Sequence, residues 1–476
     1  MKFQSSDFYD SQVYIYNPTN KDSITYNNLF ANAVDISVRY KKLSKDSLVL
    51  ILIKDEALLL ASIIACWINR LIPAIYSPDL SEKEYEELQN QFVLSEVITQ
   101  KDVSKKHYQG SSESYNKKLN LDKFNFNFLE NQIALVLFSS GTTGQPKAIP
   151  MSFQNINSNI HEFKKRLKIN NDYKFFCASP IWHAHGLYNS FLSALFLKTQ
   201  VIYFGQLSIM NAGVLLKSVA DEINSIVHIT PSMIPILIAI SKKLSHMGKI
   251  NFDKVICGAS FLDLRSKKEF ENTFDVSILQ QYGMTETLFI SINDKFSKTK
   301  PASVGQPLSD VYLEIWDNKV LGNNKEGVIR LKSKSWFGNY FGEKRERTDN
   351  FFYTGDIGYL DDDGCLYITG RSKDLIKKGG FSISSIEITN QILKVAGIVE
   401  AYTLSVVDPK LGEEIYSFYI CENEIPKHTF IKELIKTVPV HLISKEFFKV
   451  DEIIKTATGK VNKVKMVEIL KYHLDE

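Results

Sequence analysis

Cysteine is scarce in this chain, and its five copies, Cys66, Cys177, Cys257, Cys365 and Cys421, stand far apart with no CxxC pair among them. That spacing signals neither a zinc site nor a disulfide framework, and a reducing cytoplasm is the expected compartment. Charge of one sign is lacking too, since 57 Lys+Arg face 54 Asp+Glu for a net of +3. So small a balance gives no global attraction for nucleic acid or an anionic membrane, and any anion bound must be held locally. Long apolar runs are missing as well. The longest, Ala57 to Ile68, lies between Lys54-Asp55-Glu56 and Asn69-Arg70. It falls short of the roughly 20 residues that a membrane span needs, so it reads as a buried helix. The opening MKFQSSDFYDSQVYIYNPTN has no apolar stretch behind a basic start, and no signal peptide is expected.

What is present describes a multidomain globular enzyme: 476 residues, 44% of them hydrophobic, enough for several folded units. Short apolar runs alternate with longer amphipathic ones. LVLILI at Leu48 to Ile53 starts the pattern, IALVLF at Ile133 to Phe138 restarts it, and it recurs at KFFCASP, TQVIYFG, SIVHITPS, DKVICGAS and VSILQQYG. Alternation of this kind predicts α/β layers on largely parallel sheets. From Val304 the texture turns to short β-like pieces such as VYLEIWDN and GVIRLKS, with a DDDG turn at Asp361 to Gly364. Beyond Gly370-Arg371 helix-like and strand-like runs mix. The expected organisation is a large N-terminal α/β domain over residues 1–371, made of two doubly wound subdomains and a small β subdomain, followed by a smaller α+β domain over 372–476.

The strongest local signal is Ser139-Ser140-Gly141-Thr142-Thr143-Gly144-Gln145-Pro146-Lys147, directly after IALVLF. Two glycines let the backbone turn tightly enough to aim N–H groups at one anion, four hydroxyls add donors, and Lys147 supplies a point charge. The composition alone would also suit a plain polar linker. It is not the GxxxxGK[ST] nucleotide loop, because no Gly-Lys here is followed by Ser or Thr.

With its companions, this loop resembles the signature of the adenylate-forming superfamily, which holds the acyl- and aryl-CoA ligases, peptide-synthetase adenylation domains and beetle luciferases. Pro180-Ile181-Trp182-His183-Ala184-His185-Gly186-Leu187 is similar to the family's Pro-x-x-His-x-x-Gly segment, and Cys257-Gly258-Ala259-Ser260 to its Gly-Gly-Ala-Pro turn. Tyr282-Gly283-Met284-Thr285-Glu286-Thr287 matches Tyr-Gly-x-Thr-Glu, and Tyr353-Thr354-Gly355-Asp356 matches Thr-Gly-Asp. Gly370-Arg371-Ser372-Lys373-Asp374, Gly379-Gly380-Phe381 and Thr458-Gly459-Lys460 follow in family order.

The resemblance implies an adenylate-forming fold with a mobile C-terminal domain, ATP and Mg²⁺ as cofactors, and coenzyme A or the phosphopantetheine arm of an acyl carrier protein as acceptor. Ser139, Ser140, Gly141, Thr142, Thr143, Gly144 and Lys147 would cradle phosphate. Gly258, Ala259 and Ser260 would run along the adenine, with Tyr282 stacked on the base beside Gly283. Thr285 would bond the α-phosphate and Glu286 would be the Mg²⁺ ligand, as a cation that takes one or two carboxylates plus substrate phosphates requires. Asp356 would hold the ribose hydroxyls, and Arg371, one of only eight arginines, would supply a fixed fork to ribose or phosphate oxygen.

His183 would close the acyl pocket, though a packed core histidine is the plainer account of it. Lys460 would bridge carboxylate and α-phosphate during adenylation, and the small domain would then swing about Lys373 to form the thioester. Gly379 and Gly380 would line the pantetheine channel.

The acid itself stays open. WHAHGL offers no aspartate for an α-ammonium, so a small free carboxylic acid is expected. A second carboxylate, as in malonate, would need a buried cation. Arg265 alone among the arginines lies near the expected pocket, and medium-chain and aryl acids stand beside malonate. The family's usual proline before the final Lys-Thr is here Ile454, its second glutamate is Thr389, and AIPMSF follows Lys147 in place of GVxxSH. None of these departures removes a charged group, so an active enzyme is expected; a non-catalytic nucleotide-binding scaffold is the rival from another class.

Overall fold

The computed structural model describes residues 2–4, 12–104, 125–140, 146–244, 250–343, 350–456 and 461–475. The chain divides into two compact units, one of Met1–Lys298, Leu308–Val311 and Ser333–Asn350, the other of Thr299–Pro307, Tyr312–Lys332 and Phe351–Glu476.

The first unit holds two large sheets and a two-stranded antiparallel one of Lys2–Gln4 and Asn125–Asn127. In the five-stranded one the order is Leu94–Thr99, Leu48–Leu52, Ile72–Ile75, Ile133–Ser140 and Pro146–Ser152, parallel until the final hairpin. The strand Leu48–Leu52 is buried at four consecutive residues, as a strand covered on both faces must be. The helix Glu56–Ile68 starts at Asp55, whose carboxylate accepts from the Leu58 N–H, and Ala57 to Trp67 are all buried. That is the buried helix its apolar circumference predicts. Among the described residues, no helix is long and apolar enough to cross a membrane.

The second sheet of this unit runs Leu288–Ile292, Ile278–Met284, Lys254–Cys257, Ser225–Ile229, Lys174–Cys177, Gln200–Tyr203, Val13–Asn17 and Asp22–Thr25. It is parallel except at the two outer pairs. Alternate residues go to opposite faces. Phe176, Val227, Ile229, Val255 and Cys257 join a core with the helices Ile209–Ala220, Ile234–Lys243 and Leu264–Phe274. Phe175 and His228 go to the other face, where Phe163 of the helix Phe153–Leu167 lies against His228. Helices on both faces make this a doubly wound layer, whose ligand side is the carboxyl end of the strands.

The second unit also has two sheets. Tyr312–Trp316, Gly327–Lys332, Phe352–Leu360 and Leu366–Arg371 form an antiparallel meander. Phe381–Ser384, Leu375–Lys378, Gly412–Ile420 and Glu400–Asp408 form the other, with Glu446–Lys449 added in parallel beside Gly412–Ile420. Phe430 and Leu434 of the helix Lys427–Leu434 and Ile388 of Ser385–Ile392 close one of its cores. Met466 and Leu470 of Lys463–Asp475 close the other. The architecture is the α/β one that the run pattern predicts, with a larger α/β part and a smaller α+β part. The expected boundary at 371/372 falls inside the second unit, between its two sheets.

Candidate active site

The two ends of the predicted phosphate loop are paired strand residues. Ile133–Ser140 and Pro146–Ser152 pair antiparallel down to Ser139 opposite Lys147 and Ser140 opposite Pro146. Both strands belong to the five-stranded sheet, with Pro146–Ser152 at its edge. Gly141, Thr142, Thr143 and Gly144 lie outside the described residues. Lys147 is half-buried, and its ammonium sits over the ring of Tyr340, 4.8 Å from the centroid.

Tyr282-Gly283-Met284-Thr285-Glu286-Thr287 is also a hairpin. Ile278–Met284 is the last parallel strand of its sheet and turns back at once into Leu288–Ile292, with Thr285, Glu286 and Thr287 as the turn. The Thr287 N–H donates to the Met284 carbonyl at 3.1 Å, and Leu288 takes the left-handed conformation, φ 61°. Gly283 is required by space. A Cβ there would lie 2.2 Å from the Leu288 carbonyl oxygen, far inside contact distance. Glu286 is half-buried at the corner, and its Oε1 accepts from the Tyr340 hydroxyl at 3.4 Å.

The turn after Lys254–Cys257 brings Gly258 close under the neighbouring strand, its N–H donating to the Ile229 carbonyl at 3.3 Å. Ala259 follows in the left-handed region at φ 70°, which costs a non-glycine residue about 1 kcal/mol, and Ala259 and Ser260 are exposed. In the histidine segment, His183 caps the short helix Ala184–Gly186 with an extended backbone and is part-exposed. A Cβ on Gly186 would come within 2.3 Å of the Pro180 carbonyl oxygen, so glycine alone permits this fold-back. His185 Nδ1 meets Ser179 Oγ at 3.0 Å, and its ring stands edge-on to His228, 6.2 Å away. His228 is 2% exposed with neither ring nitrogen hydrogen-bonded. Burial, and then His185, hold its pKa well below the usual histidine value.

In the second unit, Asp356 and Arg371 are cross-strand partners in one antiparallel ladder. Arg371 Nε donates to Asp356 Oδ1 at 2.6 Å; the aspartate side chain is 3% exposed and the arginine 54%. The Asp356 N–H donates to Thr354 Oγ1 at 3.0 Å, and Thr354 in turn donates to the Ile329 carbonyl at 2.9 Å, so the Thr-Gly-Asp bend is braced from within. Gly379 and Gly380, φ 58° and 85°, are a two-residue hairpin loop between Lys378 and Phe381. Positive φ at both corners is the requirement there; a Cβ would meet nothing within 4 Å. Lys460 lies outside the described residues; the residue after it, Val461, bridges to Lys455.

The family model for AMP-binding enzymes matches residues 3–341. The chain belongs to the AMP-binding enzyme family. Within this adenylate-forming superfamily, a probable CoA ligase of Humulus lupulus is 27% identical over 345 residues, covering 70% of this chain and 65% of that protein, just under two thirds of its length. A 2-succinylbenzoate–CoA ligase of Staphylococcus epidermidis is 23% identical over 462 residues, 94% of this chain and 93% of that one. Among solved structures, the ATP-bound MatB of Rhodopseudomonas palustris superposes with a TM-score of 0.83 over 98% of both chains at 21% identity, a likeness of fold.

Among the described residues no group of three or more His, Cys, Asp or Glu side chains is placed to hold a metal. Glu286 is a single half-buried carboxylate on a tight turn, which fits Mg²⁺ arriving with nucleotide phosphates as its other ligands. Two residues escaped the sequence reading. Tyr340 has no motif signal beyond the aromatic run WFGNYF. Arg330 is 7% exposed, donates through Nε and Nη2 to Glu314 Oε2 and through Nη1 to the Tyr353 hydroxyl at 3.0 Å, and stacks on Trp316, anchoring the strand that leads into Thr354. Arg265 is exposed on the first turn of Leu264–Phe274 and provides no buried cation for a second carboxylate.

Proposed function

We propose that this protein is an AMP-forming acid–thiol ligase. It activates a small carboxylic acid with ATP and passes the acyl group to a thiol, coenzyme A first among the candidates and a carrier-protein phosphopantetheine second. In the first step a carboxylate oxygen attacks the α-phosphorus, the bond to the β-phosphate breaks, and pyrophosphate leaves. In the second the thiol sulfur attacks the acyl carbon, the bond to AMP breaks, and the thiol proton is lost to solvent. An oxide is a poor leaving group and AMP a good one, which is why activation precedes transfer. The chemistry needs charge neutralisation and positioning more than proton transfer.

The observation that carries this reading is the convergence of Lys147 and Glu286, remote in sequence, on one side chain, each at the rim of a hairpin. Lys147 and the serine, threonine and glycine residues before it would hold phosphate, Glu286 would hold Mg²⁺, and Thr285 would bond the α-phosphate. When bound, Mg²⁺ neutralises phosphate charge. Tyr282, Gly258, Ala259 and Ser260 would take the base, and Asp356 with Arg371 the ribose. Lys460 would bring a positive charge to the reacting oxygens, carried by a C-terminal domain that moves about Lys373, and His183 would border the acid. The names of the relatives support a coenzyme A acceptor, and five free, buried cysteines fit a reducing cytoplasm.

A pyrophosphate-exchange screen over short, dicarboxylic, medium-chain and aromatic acids tests the first step. Thioester assays with free coenzyme A beside a carrier protein whose phosphopantetheine thiol is free test the second. A chain that binds ATP yet exchanges pyrophosphate with none of these acids would instead be a nucleotide-binding scaffold.

A further inference from the structure

Gly379 and Gly380 turn the hairpin of Leu375–Lys378 and Phe381–Ser384, and the space beside both glycines is open, since a Cβ there would meet no atom within 4 Å. The place of this tip is therefore set at its base. Leu375–Lys378 meets the strand Gly412–Ile420 in register at Lys378 opposite Gly412, and the Gly379 N–H donates to the Leu411 carbonyl at 2.8 Å.

Two consecutive glutamates of that neighbouring strand add side-chain ties, one from each face of it. Glu413 Oε2 accepts from the Lys377 N–H at 2.6 Å while its Oε1 accepts from Ser405 Oγ, also at 2.6 Å. Glu414 Oε1 meets Lys378 Nζ at 2.5 Å, the lysine side chain 11% exposed and the glutamate 9%. The same ammonium donates to the Ile443 carbonyl at 3.5 Å, and the same carboxylate oxygen accepts from the Ile415 N–H at 3.0 Å. A buried ion pair adds little net stability, because desolvation offsets the attraction, but it is exacting in geometry. Ile376 and Ile383 already bury the hairpin in one core of the second unit. The pair thus adds direction more than cohesion, fixing how the last residue before the glycines sits.

We infer that Lys378 and Glu414 are a positioning pair for thiol transfer, whose contact sets the placement of Gly379-Gly380 for the thiol arm and has no part in adenylation. This rests on the acid–thiol ligase reading and on Gly379 and Gly380 bordering its thiol acceptor.

The test compares the full wild-type chain with the Lys378→Met/Glu414→Leu double variant, in which apolar side chains of similar size replace the pair. With the acid that wild type activates best, pyrophosphate exchange reads the first half-reaction. Thioester formation against the concentration of free coenzyme A, or of a carrier protein whose phosphopantetheine thiol is free, reads the second. The variant should keep pyrophosphate exchange within about twofold of wild type and raise the KM for the thiol roughly tenfold. Amide hydrogen exchange should quicken roughly tenfold at Gly379 and leave the ladder of Glu400–Asp408 on Gly412–Ile420 protected. A folded variant with an unchanged KM, equal loss of both half-reactions, or unaltered exchange at Gly379 overturns the inference. Should the double variant not fold, Glu414→Gln, which keeps the shape and removes the charge, takes its place with the same expected outcomes. A wild-type chain that makes no thioester with either acceptor would overturn the proposed function itself, a result distinct from those.

Discussion

Arg371 reaches across one antiparallel rung to Asp356 and donates from Nε to Oδ1 at 2.6 Å, joining a nearly buried carboxylate to a guanidinium that is half in solvent. Each residue was a separate candidate for ribose or phosphate on chemical grounds. Their pairing turns them into one unit, in which the arginine orients the carboxylate.

Arg371→Lys should therefore weaken ATP binding without unfolding the protein. A lysine keeps the charge and loses the fork, so the expected loss is about 1.5 kcal/mol, roughly tenfold in affinity. Calorimetric ATP titration checks it, with the melting temperature as the control for folding.

Gly283→Ala should damage the Glu286 turn directly. The new Cβ would meet the Leu288 carbonyl oxygen at 2.2 Å, and backbone cannot rotate away as a side chain can. A stability loss of about 1–3 kcal/mol is expected, the range of overpacking, together with loss of pyrophosphate exchange. Denaturant unfolding reads the first and the exchange assay the second.

Lys460→Ala should separate the two half-reactions. Carboxylate-dependent pyrophosphate exchange is expected to fall by about two to three orders of magnitude, as when one preorganised charge is removed from a transition state. Thioester formation from a supplied acyl-adenylate should remain largely intact. Equal loss of both would contradict a two-conformation cycle.

His228 makes stability depend on pH. Its folded pKa lies well below the ordinary 6.5 because burial penalises the charged ring, so below that pH the unfolded chain binds a proton that the native one does not. Stability is then fully present above the unfolded value and is lost as pH falls from it toward the folded one. The slope approaches about 1.4 kcal/mol per pH unit. His228→Phe keeps a ring among Phe163, Phe175 and Phe289, removes two nitrogens that have no partner, and should flatten this acid slope. Urea unfolding of both chains between pH 5 and 8 is the measurement; parallel curves would reject it.

Much of the fold was legible because its causes are local. The run IALVLF told of a buried strand, and Ala134 to Leu137 are buried in the strand Ile133–Ser140. Ala57 to Ile68, apolar all round, is a buried helix. Gly379 and Gly380 were expected beside a thin ligand arm; the hairpin gives a reason for them that the sequence did not show, left-handed backbone at both corners. Arg330 was passed over in the sequence because its meaning lies in Trp316, Glu314 and Tyr353, each on another strand.

The amino-acid sequence by itself determined where the chain turns and where it carries anion-binding and carboxylate chemistry. Glycine conformations, cap residues and apolar periods act over a few residues and need no distant partner. Only tertiary structure decided which of those groups meet. Strand register set Asp356 against Arg371, and the return of Ser333–Asn350 set Tyr340 between Lys147 and Glu286. Such contacts depend on hydrogen bonds and packing summed over whole sheets, and no short stretch of residues contains that sum.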